Sequence, residues 1–72
     1  MSELANDQVE TFNLMIKKLQ HDPDKFERMF AAQYLARYNF SEIKDYLIKA
    51  LEDPDPEVVL LVRKLLEKGN KS

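Results

Sequence analysis

The chain has 72 residues, 44% of them hydrophobic and 33% charged, with a formal net charge of −2, a single Gly and no Cys. That length holds one domain, 1–72, and its apolar content excludes a disordered chain. The charge balance supplies no basic footprint for nucleic acid, the lack of cysteine removes disulfide and thiolate chemistry, and no apolar run approaches membrane-spanning length. The polar, acidic start from Met1 to Glu10 reads as neither signal peptide nor basic presequence, so the cytoplasm is the expected location.

The first helix is expected over about 7–20. Val9, Phe12, Ile16 and Leu19 recur at helical spacing, Met15 widens the stripe and Leu14 lies off it. Asn6 or Asp7 can cap it, because a short side-chain oxygen accepts from the unpaired amides of a first turn. The second helix is expected over about 24–38, capped by Asp22 or Asp24. Pro23 suits its first turn, since proline lacks only a donor that would be unpaired there. Phe30, Tyr34, Tyr38, Ala31 and Leu35 make one face, and Phe26, Met29, Ala32 and Ala36 another. A helix apolar almost all round has neighbours on more than one side, so this one is central. Its alanines allow close approach, and Asn39 ends it.

Ser41 is expected to cap the third helix, about 42–52, with Ile43, Tyr46, Leu47, Ala50 and Leu51 inward and Ile48 off the main face. Asp55 caps the fourth, about 56–68, with Pro56 at its first position and Glu57 complementing the dipole. Val58, Leu61, Val62, Leu65 and Leu66 form its stripe, and Lys68 with Gly69 ends it. Connections this short make successive helices antiparallel.

Asp22-Pro23-Asp24 and Asp53-Pro54-Asp55 stand 31 residues apart, and each opens a helical stretch. In that register Arg28, Ala31, Tyr34 and Leu35 fall opposite Val59, Val62, Leu65 and Leu66. A repeat means stacking, and stacking favours a surface for partners over a pocket for chemistry. One complete helix pair, about Asp24 to Asp53, is expected with a helix on each side. A plain four-helix bundle would bury nearly the same residues, and the stacking of helix one on helix three separates the two.

The stretch Glu42 to Val58, a helix ending in Ala50-Leu51, then Asp53, a Pro/Asp turn and Val58, resembles the HEAT-like repeat of the phycobilisome-lyase type. Leu19 to Leu35 is similar, with Asp22, Arg28, Ala31 and Leu35 in place, Glu27 where Val is usual, and a turn one residue longer. The resemblance spans about Met15 to Leu66. It implies an all-α fold of four short antiparallel helices stacked as about two HEAT-like helix-hairpin repeats. It also implies that Asp22, Asp53 and Arg28 make the polar contacts that link repeats, a ladder that Val59 interrupts at the second Arg position.

Chemistry is poorly provided for, and no enzyme is expected. His21 has no cysteine partner, and Asp22, Asp24, Asp53 and Asp55 are explained by helix capping. Neither turn has the alternating ligands and central glycine of a calcium loop, and a phosphate-cradling loop needs more glycine than this chain has. No metal or cofactor site is expected. Tyr34, Tyr38 and Tyr46 read as core-edge residues with hydroxyls in water. Lys17 with Lys18, and Lys64 with Lys68, read as solvated helix faces. The leading reading is a small non-enzymatic module or scaffold that binds another protein or itself through Val59, Leu60, Arg63 and Lys64 on helix four. The lyase-type resemblance offers a second reading, an accessory role in bilin attachment to or removal from phycobiliproteins. Nucleic-acid binding through a basic concave face is a third, opposed by the charge balance.

Overall fold

The computed structural model describes residues 2–71, with side chains described for 8–70. Four helices follow one another: α1 Ser2–His21, α2 Lys25–Leu35, α3 Phe40–Ala50 and α4 Pro56–Lys71. α1 packs on α2 and α3 on α4, and these hairpins then stack with α2 against α4 and α1 against α3. Among the described residues, neither α2 with α3 nor α1 with α4 forms an interface of similar extent. An up-and-down bundle would pack both of those pairs. Its absence here makes the molecule a stack of two helical hairpins. The repeating unit is therefore α1–α2 and α3–α4, not a central pair spanning Asp24 to Asp53.

The core is a single cluster fed by all four helices. Met15 and Leu19 come from α1, Ala31, Ala32 and Leu35 from α2, Ile43, Leu47 and Ala50 from α3, and Val58 and Val62 from α4. Ala31 and Ala32 are fully buried. With no side chain beyond Cβ, they let α2 lie close to two neighbours at once, as a central helix must. Each fully buried Leu or Ile contributes roughly 1.5–3 kcal/mol, a large share for a domain this small. Phe12, Tyr34, Tyr38 and Tyr46 close one side of the core with tilted and edge-to-face ring contacts. Phe12 lies 4.9 Å from Tyr38 and 6.3 Å from Tyr46, centroid to centroid.

Several boundaries differ from the sequence expectation. α1 begins at Ser2, five residues early, and the Asn6 and Asp7 side chains lie outside the described ones. Pro23 sits in the turn before α2 rather than within its first turn, and Asp24 is the cap, accepting from the Phe26 amide. α2 stops at Leu35, because Arg37 and Tyr38 close tighter turns onto Tyr34 and Leu35. Asn39 does not end α2. It caps α3, its Oδ1 accepting from the Ser41 amide and hydroxyl, which moves Ser41 from cap to first turn. α4 continues through Gly69 to Lys71 instead of ending there. A Cβ built on Gly69 would fall inside the Phe40 ring, so this glycine serves a close approach, not a stop.

Three residues assigned to apolar faces are open to solvent. Val9 is 57% exposed, Phe26 66% and Phe30 54%. The apolar coat of α2 thus extends past its two neighbours onto an uncovered side. Leu14 and Ile48, read as lying off their stripes, are exposed as expected, and so is Leu60 of the contact set.

Candidate interaction surface and the clasp between repeats

Each Asp-Pro-Asp triplet builds the same turn. Asp22 Oδ1 accepts from the Asp24 amide and Asp53 Oδ1 from the Asp55 amide, both at 2.9 Å. Asp24 and Asp55 then accept from Phe26 and Glu57, the second amides of α2 and α4, again at 2.9 Å. A proline between the aspartates costs no donor, and each short carboxylate satisfies an amide that helix geometry leaves unpaired. All four carboxylates are thereby engaged in turn and cap bonds. Among the described residues no cluster of His, Asp and Glu is arranged to hold a metal ion.

Onto this frame α2 lays its guanidinium. Arg28 Nε donates to Asp53 Oδ2 at 2.7 Å and Nη2 to Asp53 Oδ1 at 3.1 Å, while Nη1 donates to the Asp22 carbonyl at 2.7 Å. The predicted trio therefore meets, with one difference. Asp53 contributes its carboxylate, whereas Asp22 contributes its backbone oxygen. The side chains are only 12% and 6% exposed. Hydrogen bonding to Asp53 holds the Arg28 guanidinium above its ordinary pKa, so it stays charged throughout the accessible range.

A second link was not anticipated. Lys25, at the first position of α2, pairs with Glu57 and lies 3.6 Å from Asp55, both in the other repeat. Its ammonium also sits 5.3 Å from the Phe26 ring centroid. The register held a clue: Lys25 falls opposite Pro56, so stacking brings the starts of α2 and α4 side by side. Within the first hairpin, Lys18 donates to Glu27 at 2.9 Å and lies 3.5 Å from Asp22. Lys18 is thus an ion-paired residue and not part of a plain solvated face. Hydrogen bonds to Glu27 and Glu57 raise the pKa values of Lys18 and Lys25 respectively. Hydrogen bonding to Tyr34 raises that of Tyr38. His21, the last residue of α1, is exposed.

Of the four contact candidates on α4, the structure brings three together. Val59, Leu60 and Arg63 line a shallow depression of about 410 Å³ with Asp53, Pro54 and Pro56. Lys64 is exposed but is not part of that lining. Leu60 is 54% exposed, Val59 is half-buried, and Arg63 has no ion-pair partner among the described residues. Val59 occupies the register position of Arg28 and Arg63 that of Ala32, so this edge repeats the face that α2 turns toward the second hairpin.

No helix of the described residues is long and apolar enough to cross a membrane. Neither a curated protein nor a solved structure shows significant similarity to the chain. The family model for HEAT repeats matches residues 12–68, which takes in both hairpins and the clasp between them. Stacked hairpins, repeated Asp-Pro-Asp turns and an Arg–Asp bridge between units agree with that match, and the chain belongs to the HEAT repeat family.

Proposed function

We propose that this chain is a non-enzymatic interaction module that engages a protein partner through the edge of α4. HEAT repeats generally mediate protein–protein contact or scaffolding. The observation that carries the reading is the depression at Val59, Leu60 and Arg63, where an exposed leucine stands beside a guanidinium that has no ion-pair partner among the described residues. Arginine is enriched in interface cores, and the exposed leucine beside it is apolar surface that a partner would take out of water. An accessory role in bilin attachment rests on the lyase-type resemblance alone, and no feature of the site favours it.

The test is a photo-crosslinking residue placed at position 60, compared with one at the exposed Lys44 of α3. Adducts from position 60 that position 44 does not give support the reading, whether the captured chain is foreign or a second copy. Equal labelling from both positions, or none from position 60, refutes it.

A further inference from the structure

A second depression, of about 790 Å³, lies where the end of α2, the start of α3 and the last turns of α4 come together. It shares no lining residue with the depression at the α4 edge. Its inner side reaches the buried core residues Ile43 and Leu47, with half-buried Leu65 and Phe40 beside them. Small-molecule sites occupy about 300–1,000 Å³ and combine a mostly apolar lining with a few polar groups, and this depression has both properties.

The charged residues of the lining are Arg37 and Lys68, both cations. Elsewhere on the surface the signs are mixed. Arg63 shares its depression with Asp53, and Lys17 shares one on α1 with Glu10. In a chain of net charge −2, two cations without a carboxylate reverse the sign locally. Arg37 is exposed and has no ion-pair partner among the described residues. The ends of α2 and α4 and the start of α3 bring partial charges of both signs to this place, so an anion here depends on the side-chain cations.

An anionic head and an apolar body are thus both provided for, and the remaining polar groups narrow the choice of body. A peptide would bring backbone amides that lose water and need partners. The neutral amide side chains of the lining are Gln33 and Asn39, and Asn39 Oδ1 already accepts from the Ser41 amide and hydroxyl. An unbranched alkyl carboxylate has no amide to satisfy, and a planar guanidinium matches its head. We propose that this depression binds a free fatty acid, with its carboxylate on Arg37 and Lys68 and its chain on Leu65 above Ile43 and Leu47.

The probe is octanoate, titrated into the isotope-labelled full chain and followed by backbone amide shifts, with octanol and acetate at the same concentrations. Octanoate is expected to give saturating shifts centred on Arg37 to Phe40 and Leu65 to Gly69, and octanol and acetate much smaller ones. R37Q should raise the octanoate Kd about threefold to fivefold, which is what an exposed ion pair is worth at most. K17Q, on the exposed side of α1, should leave it unchanged. Equal shifts from octanol, shifts centred elsewhere, no shifts, or an equal effect of R37Q and K17Q overturns the proposal. An N-terminally blocked tripeptide ending in leucine that binds the same residues more tightly than octanoate also overturns it and assigns the depression to a peptide terminus.

Discussion

Arg28 and Asp53, 25 residues apart, meet through two parallel bonds of 2.7 and 3.1 Å, and the same Asp53 carboxylate accepts the amide of Asp55. One carboxylate thus fixes both the docking of α2 and the turn that starts α4. The guanidinium's third contact, to the Asp22 carbonyl, ties in the turn before α2. Both repeat turns are held by a single side chain of α2.

Removing that side chain tests how much the clasp holds. R28A leaves a largely buried carboxylate without its cation, a change that typically costs about 3–5 kcal/mol. In a domain of this size, Tm should fall by well over about 10 °C. R28K keeps the charge but not the fork and should recover only part of the loss. Denaturant unfolding of the three chains checks it. A loss for R28A below about 1 kcal/mol would mean that the pair behaves as a surface bridge.

The pH dependence of stability has a definite sign. Lys18, Lys25 and Tyr38 all have folded pKa values above their ordinary 10.5, 10.5 and 10.0, chiefly from hydrogen bonds to Glu27, Glu57 and Tyr34. A raised folded pKa means that the native state holds the proton more tightly. Its contribution is complete below the unfolded value and is lost as pH climbs through the folded one. Urea midpoints should therefore hold steady from pH 8 to about 9.5 and fall from about pH 10 upward. K18M/K25M should flatten that decline. An unchanged slope in the double variant would remove these lysines as its cause.

Helix existence was legible because apolar spacing and the Asp-Pro-Asp triplets are local signals that agree with one another. The Arg28–Asp53 clasp was legible only through the resemblance to HEAT-like repeats, since no local rule links residues 25 apart. Lys25 to Glu57 escaped for the same reason in reverse. It joins positions that are not register equivalents, and only stacking brings them together. Periodicity marked Phe26 and Phe30 as apolar but could not say that α2 has neighbours on two sides and not three. Asn39 and Ser41 are both good caps two residues apart, and the choice between them was made by where α2 stopped.

Gly69 should reverse the usual rule for helical glycine. Replacing a glycine inside a helix by alanine ordinarily gains about 1 kcal/mol. Here the added methyl would fall inside the Phe40 ring, and overpacking of that kind costs typically 1–3 kcal/mol. G69A should therefore destabilise the chain, or at best leave it unchanged. In an F40A background the obstacle is gone, and the same substitution should stabilise by up to about 1 kcal/mol. A G69A that stabilises by a similar amount in both backgrounds would show that Phe40 yields without cost.

The cap of α3 separates two neighbouring residues by role. Asn39 Oδ1 accepts from the Ser41 amide at 3.3 Å and from its hydroxyl at 3.2 Å, so the asparagine satisfies the otherwise unpaired donor. N39A should cost about 1 kcal/mol, whereas S41A removes an exposed donor from the first turn and should stay within about 0.5 kcal/mol of the parent. The loss in N39A should also appear as faster amide exchange over Ser41 to Ile43, because the first turn of α3 then opens without global unfolding. A larger loss from S41A than from N39A would return the cap to Ser41 and shorten α3 by two residues at its start.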